Sequence, residues 1–346
     1  MRYAIVPGWF SACDPRPQSA TADCGPGRRP TKFDRGGLQV AVLGAGTHAP
    51  YKVLLLADRT SMPTLIFDRT ATEFGQEYHP EKPARLIRTE AYLLDKHPDW
   101  IWTKPRLATE EEVFRVHLPK HLERLRQPLD FDTDTPYYPG IVEHARLAVG
   151  AAIGAVDLAL RGKQAFALMR PPGHHATPTR AMGFCYLNSV AIAAHYALAT
   201  GCERVAVWDF DAHHGNGTEE IVLGNPRIRF ASVHQYPGYP GTGTRSRENV
   251  FNWPILPNSD PDEHASAVCQ ALDRLLEFNP DVLLVSAGFD AFRGDPITEM
   301  TLEVEHFAKF GHQLAASGLP AAAVLEGGYS AELPILVESF LAAWSG

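Results

Sequence analysis

Two periods of apolar and polar positions take turns along most of this chain. Short runs that are apolar at nearly every position occupy 64–67, 165–169, 205–210, 228–233, 282–286 and 321–325. Runs of this length, bounded by Gly, Pro or polar clusters, read as strands buried on both faces. Longer segments with helical spacing lie between them, at 81–96, 140–160, 187–199, 261–278, 302–316 and 333–344. Thr109-Glu110-Glu111-Glu112 has the character of a capping box and opens a further helix. Strands alternating with helices predict an α/β protein with a mainly parallel central sheet and helices on both faces. No internal repeat and no second domain interrupt this pattern.

Residues 1–62 sustain neither period, and Pro7, Pro15, Pro17, Pro26 and Pro30 break them repeatedly. The expectation is a poorly ordered N-terminal extension at 1–62, followed by one large domain at 63–346. Met62 stands just before the first convincing strand, so translation is expected to start at or near it, leaving the preceding stretch in excess of the native chain.

Composition narrows the class. Of 346 residues, 45% are hydrophobic and 21% charged, which suits a globular protein with a sizeable core. The formal net charge of −8 argues against a generic nucleic-acid binder, which needs phosphate-neutralising basic surface. It fits a cationic partner, and also plain solubility. The five cysteines, Cys13, Cys24, Cys185, Cys202 and Cys269, form no C-x-x-C pair, so neither a disulfide framework nor a cysteine zinc knuckle is indicated. A reducing, cytoplasmic setting without membrane attachment is expected; the apolar run at 53–57 is too short to span a bilayer.

The chemistry collects where strands end. The apolar run Arg204-Val205-Ala206-Val207 continues into Trp208-Asp209-Phe210-Asp211-Ala212-His213-His214-Gly215-Asn216-Gly217. Asp211 and His213 are two apart, so in extended chain they point to one side and could grip a divalent metal with an oxygen and a nitrogen. A salt-bridged strand end is the plain alternative. Each of the other central strands also runs into a polar, Gly-containing loop: 170–176, 234–243, 288–291 and 326–329. In a parallel sheet all of these loops crowd the carboxyl edge, where ligands bind.

Six motifs in these loops, RPPGHHA at 170–176, GFCYLN at 183–188, DFDAHHGNGT at 209–218, YPGTG at 239–243, GFDA at 288–291 and LEGGY at 325–329, resemble the histone deacetylase superfamily. That superfamily includes the acetylpolyamine amidohydrolases and bacterial deacetylase-like enzymes. The resemblance covers about residue 64 to the end, with every motif in the expected order. It implies the arginase–deacetylase fold, a catalytic domain at 63–346, and a zinc-dependent amide hydrolase of the class II-like branch.

Residue by residue, the resemblance implies Asp211, His213 and Asp290 as ligands of Zn2+, with Fe2+ as an in vivo alternative. His175 would be general base and then acid, and His174 an electrostatic partner. Asp209 would hydrogen-bond the first imidazole and Asn216 the second. Tyr329 would donate to the oxyanion, aided by a flexible Gly327-Gly328. Phe184 and Tyr239 match the aromatic walls of an acyl-lysine tunnel, with Gly183 beside them, and Asp134 matches a rim carboxylate that binds substrate backbone. Asp209, Asp211 and Ser232, with the backbone carbonyls of His213 and Val233, match a structural potassium site. Arg85 resembles an arginine lining an internal acetate channel. For several of these, Tyr329, Phe184, Tyr239 and Arg85 among them, simple packing is the competing account.

The expected activity is removal of acetyl groups from lysine side chains of proteins by metal-activated water. Acetylated polyamines are the alternative substrate, and a non-catalytic acyl-lysine binding module the alternative role. A binuclear, arginase-like site is disfavoured because Gly215 and Phe292 stand where further carboxylates are needed.

Overall fold

The computed structural model describes residues 62–346. The expectations for the extension and for translation start, Met62 apart, fall outside them. Eight strands form one sheet in the order β2-β1-β3-β8-β7-β4-β5-β6, every neighbouring pair parallel. The strands are β1 Thr64–Ile66, β2 Ile101–Thr103, β3 Ala165–Ala167, β4 Val205–Asp209, β5 Ile228–Gln235, β6 Val250–Ile255, β7 Val282–Ala287 and β8 Ala321–Leu325. Of the six interior strands, β1, β3, β4, β7 and β8 are buried at every position and β5 at all but two. That burial on both faces is why their sequences run apolar without alternation.

The helices are α1 Ala84–Lys96, α2 Glu110–Val113, α3 Pro119–Leu125, α4 Ile141–Ala159, α5 Ser189–Ala199, α6 Asn216–Val222, α7 Pro261–Leu276, α8 Val304–Ser317 and α9 Leu333–Ser345. On one face α4 covers β1, β3 and β8, and α5 beside it covers β4 and β7. On the other, α7 covers β4 to β6 and continues through α8 and α9 to α1. Trp208 of β4 turns to that second face, where its indole N–H donates to the Val268 carbonyl and its ring meets Phe310 edge-on. No helix among the described residues is long and apolar enough to cross a membrane.

The sheet is wholly parallel rather than mainly so. The sequence reading missed both edge strands. β2 is three residues long, and β6 carries Pro254, which an edge strand tolerates because one side of its backbone makes no ladder. It also missed α3, and α1 begins at Ala84 rather than 81. Glu81 is instead drawn inward to Arg85 and Arg170. The Thr109 capping box is present, but the helix it opens is only four residues long.

The connections place the site. From β4 the chain moves outward through β5 to β6, then returns to β7 on the opposite side of β4 and continues to β8. The gap between β4 and β7 is therefore a topological switch point, where ligands bind beyond the strand ends.

Candidate active site

The loops after β4 and β7 meet at this switch point. Asp211 Oδ1 and Asp290 Oδ2 stand 3.2 and 3.0 Å from His213 Nδ1. The sequence argument placed Asp211 and His213 in extended chain, but β4 ends at Asp209. The two meet instead through a tight turn, in which the His213 backbone N–H donates to Asp211 Oδ1 at 2.9 Å. Backbone donors hold the remaining carboxylate oxygens: Gly327 N–H to Asp211 Oδ2 at 2.7 Å and Ala212 N–H to Asp290 Oδ1 at 2.8 Å.

Both carboxylates are buried, and among the described residues no Lys or Arg reaches either one. Two buried carboxylates side by side call for a compensating cation. His213 supplies one electrostatically: burial opposes its protonation, but Asp290 and Asp211 overcome this and push it up to about 10. Ligand atoms of all three residues lie within 4.8 Å of one another. Two oxygens and an imidazole nitrogen suit a divalent metal, and the partly exposed His213 leaves one side open. A second cluster, His174, Cys185 and Glu326, is less available. Glu326 already accepts from Gly173 N–H, His174 N–H and the Ser286 hydroxyl.

Behind the triad the paired imidazoles lie against each other, centroids 4.0 Å apart and planes tilted by 43°. His174 Nδ1 lies 3.1 Å from Asp209 Oδ2, and His175 Nδ1 lies 2.8 Å from Asn216 Oδ1. Burial disfavours charge on both. Asp211, Asp209 and Glu326 overcome it at His174, pushing that group up to about 10. No such excess of carboxylates surrounds His175, which burial and the neighbouring His174 and His213 hold well below the usual imidazole range.

Tyr329 closes the site from the loop after β8. Burial pushes its phenol well above the usual value, so the hydroxyl keeps its proton and can donate. The glycines before it serve close approach rather than flexibility. A Cβ on Gly327 would stand 2.1 Å from Asp290 Oδ2, and Gly328 has φ +117°. Phe184 meets Tyr329 edge-on at 5.7 Å, and Tyr239 meets His175 edge-on at 5.1 Å. Gly183, at φ +56°, lies so close that a Cβ would come within 2.5 Å of His175 Cδ2.

The structure thus gathers His174, His175, Asp209, Asp211, His213, Asn216, Asp290, Gly183, Phe184, Tyr239 and Tyr329 at one edge. Asp134 is exposed on an outer loop, where the neighbouring Thr135 hydroxyl accepts from the Phe184 N–H. Ser232 stands beside Asp209 in the β4–β5 register, its hydroxyl 2.8 Å from His234 Nδ1. Arg85 lines a small cavity together with Tyr329, Ser330 and Leu333. Its guanidinium donates to Glu81, Gly328 O and Glu326 O and lies 4.7 Å from the Tyr329 ring centroid. Sequence reasoning missed the buried supports: Glu326, Asp295, and Glu81 with Arg170. Arg170 and Glu326 lay inside quoted motifs, but nothing local reveals partners 89 or 153 positions away.

Comparison with known proteins agrees with this geometry. Residues 79–344 match the histone deacetylase domain. An uncharacterized protein of Synechocystis sp. is 43% identical over 279 residues, covering 75% of this chain and 91% of its own length. A probable deacetylase of Archaeoglobus fulgidus is 35% identical over 312 residues, covering 80% and 86%. The crystal structure of an acetylpolyamine aminohydrolase from Burkholderia pseudomallei superposes with a TM-score of 0.76 at 28% identity, covering 83% of this chain and 99% of that one.

Proposed function

The chain belongs to the histone deacetylase family and is a hydrolase, and on that premise we propose that it is a zinc-dependent deacylase removing acetyl groups from lysine side chains of proteins. The observation that carries the reading is the convergence of the Asp211–His213–Asp290 triad, the unequal His174–His175 pair and a protonated Tyr329 at one strand edge. Asp211, His213 and Asp290 would hold zinc, with ferrous iron as the in vivo alternative. Bound there, the metal would acidify a water molecule and polarise the amide carbonyl.

The protein's own groups do the rest. His175, neutral and oriented by Asn216, takes the proton from the attacking water and gives it to the leaving amine. His174 stays cationic against Asp209 and Asp211 and contributes fixed positive charge. Tyr329 donates its hydroxyl to the oxyanion as it forms. Phe184 and Tyr239 flank the acyl-lysine stem with apolar walls. Asp209, Asp211 and Ser232, with the backbone carbonyls of His213 and Val233, would hold potassium behind the triad. Acetate and a free amine leave as products.

An exposed Asp134 beside the Phe184 loop supports a peptide substrate, since a rim carboxylate accepts the backbone N–H groups that a peptide carries. The likeness to an acetylpolyamine aminohydrolase favours a second reading, in which the amine is an acetylated polyamine. Zinc-loaded protein assayed on acetyl-lysine peptides and acetylated polyamines, with Tyr329→Phe as control, separates them. Higher kcat/KM on peptides is expected, with about a hundredfold loss in the variant. A preference for polyamines would move the assignment to a metabolic amidohydrolase. Inertness toward both would leave an acyl-lysine binding module.

A further inference from the structure

We propose that Asp295 is the positioning residue for Tyr329, tying the loop after β8 to the loop after β7 that carries Asp290. Asp295 is 7% exposed, and among the described residues no Lys or Arg pairs with it. Its two oxygens do different things. Oδ1 accepts the Ile297 N–H at 3.1 Å, the local bond any aspartate at a turn can make. Oδ2 accepts the Tyr329 N–H at 2.7 Å, across 34 residues of sequence. A turn-forming aspartate needs only the first bond. The second is short and buried, and it joins two loops that the chain keeps apart.

Tyr329 needs such a hold. It follows Gly328, whose φ of +117° belongs to a residue without a Cβ to limit it, and it lies in neither helix nor strand. Arg85 fixes the carbonyls of Glu326 and Gly328 from one side, and Asp295 fixes the next N–H from the other. Because Asp295 is anchored in the Asp290 loop, through its own N–H to the Phe292 carbonyl at 2.9 Å, it sets the tyrosine's place relative to the triad. An oxyanion donor gains its effect from arriving already aimed, so a displaced backbone costs turnover more than substrate binding.

The inference rests on the catalytic role proposed for Tyr329, and its test keeps the two apart. In the zinc-loaded enzyme, Asp295→Asn removes one acceptor, and Asp295→Glu keeps the carboxyl group but displaces it. Both are expected to lower kcat by at least about tenfold, with KM within about twofold and zinc content unchanged. Amide hydrogen exchange in the peptide containing Tyr329 should quicken in both. In a Tyr329→Phe background neither change should lower kcat further. Unchanged exchange, losses that multiply fully with Tyr329→Phe, or a fall in zinc content would overturn it. Faster exchange, with Tyr329→Phe as active as wild type, would support the hold by Asp295 and refute the catalytic reading of Tyr329 instead.

Discussion

The two halves of the histidine pair differ in what stands behind each ring. His174 and His175 are consecutive, similarly buried and in ring contact, yet Asp209, Asp211 and Glu326 surround the first, while an amide, a second imidazole and His213 surround the second. The same side chain is thereby held as a cation in one half and neutral in the other. Two residues of one type in one loop need carry no common role; the charges that tertiary contact brings decide it.

The comparison is most easily broken by removing each ring in turn. His175→Ala is expected to lower kcat by roughly a thousandfold, and His174→Ala by about ten times less, because only the first loses the group that moves protons. Equal losses, measured on zinc-loaded protein, would erase the distinction.

Exchanging the partner sharpens it. Asn216→Asp places a carboxylate behind His175, stabilises its imidazolium and raises its pKa. The base must be neutral, so the acidic limb of the kcat/KM profile should move to higher pH by about one unit. A limb that stays in place would mean that His175 is not the titrating base.

The smallest effect comes from a buried imidazole with no carboxylate at all. His264 is fully buried with neither nitrogen hydrogen-bonded, and burial, with His306 nearby, holds it down at about 4. Below its ordinary value of 6.5 the unfolded chain takes up a proton that the fold resists. Its contribution to stability is therefore intact above pH 6.5 and lost as pH falls toward about 4. Relative to His264→Leu, wild type should lose a further 2–4 °C or so of Tm between pH 7 and pH 5. Parallel melting curves would show that His264 is not held neutral.

Much of the fold was legible because buried parallel strands write themselves as continuous apolar runs. β8 matches its expected bounds, and β4 and β7 differ from theirs by one residue. β2 and β6 were hidden because an edge strand needs few apolar positions and can hold a proline. At the site, the clustered acidic, imidazole and phenol groups appear as Asp-x-His, His-His and Gly-Gly-Tyr in strand-end loops. Asp295 and Glu81, whose work is to hold other loops, carry no local mark, since their partners are 34 and 89 positions away.

By itself, then, the sequence determined that a parallel sheet would bring its polar loops to one edge, and which side chains with metal and proton chemistry those loops would carry. Only the tertiary structure decided which imidazole is cationic, why Gly327 must lack a Cβ, and what fixes Tyr329. Those depend on distances between loops that the chain keeps far apart, and electrostatic and steric energies follow distance in space rather than along the sequence.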